Sequence, residues 1–187
     1  NDNNRNSAIL GRVSYSPFLG LEVGLSAHSG NIDEQDSNRM TIKAVDWTYQ
    51  RGAFELVGEY AHASIERDGK LGDGTEISDT YNGDMWGYYV EPRYHFMPQA
   101  LKDAAPTFFT DNSTFTAVCR LGGLDINRPT PGSADIRKTR LTPGINFRFT
   151  EDTVFKAEYQ FNWESDRSLD EAEVSNNSLV FSVSTYF

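Results

Sequence analysis

Thr153-Val-Phe-Lys-Ala-Glu-Tyr-Gln-Phe-Asn-Trp-Glu164 alternates without a break. Phe155, Ala157, Tyr159, Phe161 and Trp163 share one parity, and Lys156, Glu158, Gln160 and Asn162 share the other. Side chains of an extended strand point alternately to opposite faces, so this stretch specifies a strand with one apolar face and one charged face. Asn82 to Phe96 repeats the pattern, with Trp86, Tyr88, Val90, Pro92, Tyr94 and Phe96 opposed to Met85, Gly87, Tyr89, Glu91, Arg93 and His95. Gly20 to Ser29 does so again, setting Leu21, Val23, Leu25 and Ala27 against Glu22, Gly24, Ser26 and His28. A slip of one residue would turn every ring to the wrong side, so register is well specified in these three places.

Extending this reading over the 187 residues gives nine strand candidates. They are Ser7 to Ser16, Gly20 to Ser29, Arg39 to Tyr49, Ala53 to Arg67, Asn82 to Phe96, Ser113 to Asp125, Ile136 to Phe149, Thr153 to Glu164 and Asn176 to Phe187. The third and fourth are less regular: Val45, Trp47 and Tyr49 agree with one another, while Met40 and Ile42 fall on the opposite parity, so a bulge is expected in one of them. No amphipathic helix competes, except a turn or two near Gln99 to Ala104. Aromatic residues at 13% against a hydrophobic fraction of only 38% fit short strands better than helices, and the expected class is all-β. A mean hydropathy of -0.55 does not exclude a membrane protein, because a tilted spanning strand needs only about 9 to 11 residues with every second one apolar.

Alternation alone does not separate a soluble barrel, with its apolar face inside, from a membrane barrel, with that face outside. The connections separate them. Short and long links alternate: Pro17 to Leu19 then Gly30 to Asn38, Gln50 to Gly52 then Asp68 to Tyr81, Thr150 to Asp152 then Ser165 to Ser175. Up-and-down membrane barrels have short periplasmic turns and long outer loops in this order. The long links carry Asp33, Glu34 and Asp36; Asp68, Asp73, Glu76 and Asp79; and Asp166, Asp170, Glu171 and Glu173, which puts acid on one rim. Met97 to Asn112 breaks the rule, being a periplasmic link of loop length with Pro98 and Pro106, and reads as a short rim helix. Closed bacterial barrels have an even number of strands with both ends periplasmic. Nine strands therefore read as a single segment, residues 1–187, of a larger antiparallel up-and-down transmembrane β-barrel of 16 or 18 strands.

Several function classes are disfavoured. A net charge of -10 opposes binding to a phosphate backbone, so no nucleic-acid partner is expected. Cys119 is alone, which rules out an internal disulfide or a cysteine-rich zinc site. Asp68-Gly-Lys-Leu-Gly-Asp-Gly74 with Glu76, Asp79 and Asp84 offers hard oxygens but lacks the spacing of a calcium loop. His28, His62 and His95 lie on separate strands without ligand spacing, so neither a metal nor a cofactor is expected.

Asn177-Ser-Leu-Val-Phe-Ser-Val-Ser-Thr-Tyr-Phe187 places Leu179, Phe181, Val183 and Phe187 on one parity and stops on an aromatic. It resembles the terminal strand of Gram-negative outer-membrane proteins, which the barrel-assembly machinery recognises. Gly11-Arg-Val-Ser-Tyr-Ser-Pro17, Gly20-Leu-Glu-Val-Gly-Leu-Ser26, Phe54-Glu-Leu-Val-Gly-Glu-Tyr60 and Leu141-Thr-Pro-Gly-Ile-Asn-Phe-Arg-Phe149 extend the similarity over most of the chain. Together they resemble the C-terminal half of the porin O and P (phosphate-selective porin) family. The resemblance implies a homotrimeric, water-filled diffusion pore for small hydrophilic solutes in the bacterial outer membrane, in contact with lipid and lipopolysaccharide. Phosphate selectivity in that family rests on Lys and Arg ladders, whereas lysines are sparse here.

With the apolar faces toward lipid, Arg12, Glu22, Glu59, Glu91, Arg93, Arg120, Arg140, Arg148, Lys156 and Glu158 point into the lumen. The opposite register would put Lys156 in hydrocarbon, at about 2 to 4 kcal/mol near the midplane. The acids sit mostly on early strands and the bases on late ones, so an acidic arc would face a basic one and filter solutes by charge and dipole. Cross-strand ion pairing that merely fills a polar wall is the bland alternative. Two other classes stay open. An outer-membrane β-barrel enzyme could be built on Ser26 and His28, although nothing designates a third catalytic member. A soluble β-barrel binding module would bury the apolar faces inside.

Overall fold

The structure is a computed structural model, and it describes residues 7–31, 39–66, 84–126, 136–166 and 176–186. Among these residues, nine strands form one antiparallel sheet in strict sequence order. They are β1 (Ile9–Phe18), β2 (Leu21–Asn31), β3 (Arg39–Arg51), β4 (Phe54–Glu66), β5 (Asp84–Phe96), β6 (Thr114–Ile126), β7 (Ile136–Arg148), β8 (Thr153–Asp166) and β9 (Ser178–Thr185). The sheet is open: among the described residues β1 and β9 each pair on one side only. The acids assigned to the long links, the Asp68–Gly74 segment and Phe187 lie outside the described residues, as does the side chain of Asp166.

All nine expected strands are present, with two corrections. The expected bulge in the third or fourth strand is absent, since β3 pairs with β4 in unbroken register from Arg39↔Glu66 to Arg51↔Phe54. Met40 and Ile42 simply share the face of Asp46 and Glu59. The irregularity falls instead in β1, between Tyr15 and Phe18, and β1 runs on through Pro17 rather than turning there. Pro17 has no N–H to donate, and it sits in that irregularity, where the ladder is already interrupted. Gly20 then makes the turn at φ +93, where a Cβ would sit 2.3 Å from the Gln50 carbonyl oxygen.

Register assigns every residue to a face. Across β8, β7 and β6, the chain of partners Phe155↔Phe147 and Phe147↔Phe115 puts three rings side by side. Continuing across the sheet, Phe96, Tyr94, Phe54, Tyr49 and Phe18 join the same face at the short-turn end. Phe96, Phe115, Phe147 and Phe155 stack in sequence, with centroids 4.6 to 6.5 Å apart. A second belt, nearer the long links, contains Tyr60, Trp86 and Tyr88 and, on β8, Phe161 and Trp163. Between the belts this face carries Val23, Leu25, Val45, Leu56, Val90, Leu121, Ile145 and Ala157. Phe155 and Trp163 are eight residues apart on β8. At ~3.3 Å per residue and a tilt of about 40° that is ~20 Å between belts.

The two faces differ in crowding. Exposure is 6% for Glu91, 6% for Thr142, 7% for Asn162 and 8% for Val118, all on the polar face, against 39% for Tyr159, 43% for Ile145 and 44% for Phe155 on the apolar face. Between the belts a flat single-layer sheet would expose both faces alike, and the lower exposure of the polar face there fits a sheet that curls toward it; nearer the long links Asp125, held by Arg137, is 5% exposed on the other face.

The link between β5 and β6 contains helix α1 (Gln99–Ala104), as its length and prolines suggested. Beyond the helix, Phe108 stacks on Phe147 and Phe149, and Phe109 leans on Phe115 and Phe147. The link thus folds back over the apolar face and thickens the lower belt. Ser113, 2% exposed, fixes its end by donating to the Phe149 carbonyl at 3.0 Å and accepting from the Thr110 N–H at 3.1 Å.

Candidate functional site: the charged inner face

Ionisable side chains line the polar face from end to end, whereas on the apolar face they gather only near the long links, where His62 meets Asp84 and Arg137 meets Asp125. All ten residues expected in the lumen lie on the polar face. Arg12 is opposite Ser26, Glu22 opposite Thr48, and Asp46 opposite Glu59, which in turn meets Tyr89. Arg93, Arg120, Arg140, Arg148, Lys156 and Glu158 continue this face through β5 to β8 in the same register. The face also brings in Asp46, Glu55, Lys138 and Glu164, which were not singled out from sequence, beside Tyr89 and Asn162, which the alternation had placed there. Glu55 shares the parity of Glu59 and was open to detection; Asp46 was hidden by the doubtful register of its strand.

The charges divide into arcs. On β1 to β4 the face carries Glu22, Asp46, Glu55 and Glu59 against Arg12 alone. On β5 to β8 it carries Arg93, Arg120, Lys138, Arg140, Arg148 and Lys156 against Glu91, Glu158 and Glu164. The acidic and basic halves therefore adjoin at β4 and β5.

Some of this charge is spent within the wall. Arg12 reaches over Gly24 and grips Asp46 with both terminal nitrogens, at 2.5 and 2.8 Å. Glu91 is the centre of a second network. It accepts from Arg93 Nε and Arg120 Nε, each at 2.5 Å. Arg93 also donates to Glu55 at 3.2 Å, across the seam between the arcs. His95 Nε2 lies 3.3 Å from the other Glu55 oxygen, and its Nδ1 lies 2.9 Å from the Thr116 hydroxyl. A neutral ring that donates through Nε2 accepts from Thr116 through Nδ1. Arg120 lies over the Tyr89 ring at 5.1 Å. Lys138 pairs with Glu164 at 3.0 Å.

The rest is not spent. Among the described residues, Glu22, Glu59, Arg148, Lys156 and Glu158 make no ion pair, and Arg140 uses only Nε, on Asn162 at 2.5 Å. Asn162 is itself fixed by donating to the Asn176 carbonyl at 2.8 Å. Two acids on one arc, and three bases with one acid on the other, thus stand open to whatever occupies the concave side. Pairing explains Arg12, Glu91, Arg93 and Arg120 as wall structure; it does not explain the other six expected residues.

On the outer face, Leu179, Phe181 and Val183 of β9 align with Tyr159, Ala157 and Phe155, so the terminal strand continues the apolar surface. The Ser26 hydroxyl faces Arg12 at 3.5 Å, and His28 Nδ1 is buried with no hydrogen-bond partner among the described residues. No group of three His, Cys, Asp or Glu side chains converges among the described residues. A comparison with protein-family models, curated proteins and solved structures found no match for this chain.

Proposed function

We propose that this sheet is part of the wall of a bacterial outer-membrane β-barrel of the porin type, a water-filled channel for passive diffusion of small hydrophilic or anionic solutes. The observation that carries this reading is the contrast between the two faces. The convex face is apolar, exposed and bounded by two aromatic belts, which suits acyl chains flanked by headgroup layers. Among the described residues the polar face holds six charged side chains without an ion-pair partner, which a dry interior would not tolerate and water does. Closure needs strands that pair with the free edges of β1 and β9, and a barrel of 16 or 18 strands would supply them.

Trimeric assembly, contact with lipopolysaccharide, and delivery by the barrel-assembly machinery through Leu179, Phe181, Val183 and Phe187 belong to the same proposal and rest on the resemblance to the porin O and P family. The adjoining acidic and basic arcs would impose a transverse field on solutes in transit. The test is conductance: full-length protein refolded into planar bilayers gives stepwise ohmic channels. Membrane insertion without conductance would refute the pore, and a protein that stays monomeric and dispersed without detergent would refute the membrane barrel.

A further inference from the structure

We infer that Arg140 and Glu158, with the terminal nitrogens of Arg120, form a subsite on the wall for a small zwitterion, a solute carrying one carboxylate and one ammonium group. The inference rests on the proposed pore, since it names a solute class for the same inner face.

A depression of about 90 Å³ is lined by Glu91, Val118, Arg120, Arg140, Thr142, Glu158 and Gln160. Val118 is buried beneath the charges, and across β5 to β8 two guanidiniums, Arg120 and Arg140, lie between Glu91 and Glu158. Glu91 is already committed to two guanidinium groups, so its charge is spoken for. Arg120 uses Nε on Glu91, and Arg140 uses Nε on Asn162. Both guanidiniums therefore keep their outer N–H groups, the edge that receives a carboxylate.

Glu158 sits at the other end without a cation of its own among the described residues. It has room because its strand partner is Gly144: a Cβ there would lie 2.8 Å from Glu158 Cγ and 3.2 Å from Val118 Cγ2. The missing side chain leaves a notch that Glu158 Cγ enters.

Two guanidiniums and two carboxylates make the depression neutral as a whole. A simple anion gains the outer N–H groups of Arg120 and Arg140 but leaves Glu158 unanswered; a simple cation gains Glu158 but meets the guanidiniums. Only a solute with both charges satisfies both ends. The small volume limits it to a few heavy atoms between them.

The probes are glycine, β-alanine and 4-aminobutyrate, with acetate and methylammonium as single-charge controls. Binding is read by titration calorimetry on the full chain refolded in detergent and shown by circular dichroism to be β-sheet, so it does not depend on conductance. At least one zwitterion is expected to bind saturably and about ten-fold tighter than either control, the ratio for one charge-assisted hydrogen bond. Glu158→Gln and Arg140→Gln each remove most of that advantage, and Gly144→Ala, which leaves both charges in place but fills the notch, weakens it as well. Acetate binding as tightly as glycine would make this an ordinary anion site and overturn the inference, as would zwitterion binding unchanged in Glu158→Gln or no saturable binding by any probe. Channels that conduct but ignore zwitterions would sink the subsite alone; zwitterion binding without conductance would sink the pore alone.

Discussion

Glu91→Ala is the substitution expected to damage the wall most. Glu91 is nearly fully buried on the polar face, accepts from Arg93 on its own strand and ties β5 to β6 by accepting from Arg120. Each charge-assisted hydrogen bond is worth about 1.5 to 3 kcal/mol, and a buried pair that loses one partner leaves an uncompensated charge. Two offsets apply. Arg93 keeps Glu55, and Arg120 keeps the Tyr89 ring and is half exposed to water. The net loss falls near the low end of two bonds, about 3 kcal/mol. With a urea dependence of about 2 kcal/mol per molar, the unfolding midpoint drops by about 1.5 M. The assay is urea unfolding in lipid vesicles followed by tryptophan emission, with Glu22→Ala as reference, because Glu22 has no ion-pair partner and should cost about 0.5 kcal/mol or less. A midpoint for Glu91→Ala no lower than for Glu22→Ala would refute the division of this face into spent and unspent charge.

Further outcomes follow from the same geometry. Ile145→Arg, between the belts on the outer face, should cost about 2 to 4 kcal/mol in bilayers, while Gln160→Arg on the inner face should cost less than about 1; equal costs would contradict the face assignment. Trp47, which pairs across to Gly58 between the belts, should be quenched best by lipids brominated deep in the acyl chain, and Trp86 and Trp163 by shallow bromines, measured on single-tryptophan variants. Neutralising Glu22 and Glu59 together should shift the reversal potential in a salt gradient toward anions, and neutralising Arg148 and Lys156 should shift it toward cations. Ser113→Ala removes a buried donor to the Phe149 carbonyl, should cost about 1 to 2 kcal/mol, and should speed proteolysis between Met97 and Asn112.

Legibility from sequence followed the physics of each element. β2, β5 and β8 were readable because they alternate throughout the stretch between the two aromatic belts. β3 misled because Met40 and Ile42 lie beyond that stretch, near the long links, where neither face has to be apolar. The same holds for Lys43, His62 and Asp125, which share the outer face there with Arg137. The fold of the Met97–Asn112 link was only partly readable: prolines and length announced a non-turn, but no periodicity says that Phe108 and Phe109 lie back on the outer rings. The charges were readable one residue at a time, and their partners were not. Arg12 reaches Asp46 two strands away, 34 positions along the chain, and only the register of β1, β2 and β3 together brings them within reach.

The direction of curl bears on the choice between the proposed membrane barrel and its inside-out counterpart. A soluble barrel closes by bending toward its apolar face, so its rings crowd inside and its charges spread apart on the convex side. Here the crowding is reversed. Asn162 and Thr142 are shielded by neighbours on the polar side, while Ile145 and Tyr159, on the same two strands and no smaller, stay open on the apolar side. Bending the sheet the other way would break the Arg12–Asp46 grip over Gly24 and pull Arg120 away from Glu91, since both contacts draw separate strands together on the polar side. The ion pairs that were the bland alternative to function therefore help set the curvature, and the unpaired charges beside them are left facing the space that curvature encloses.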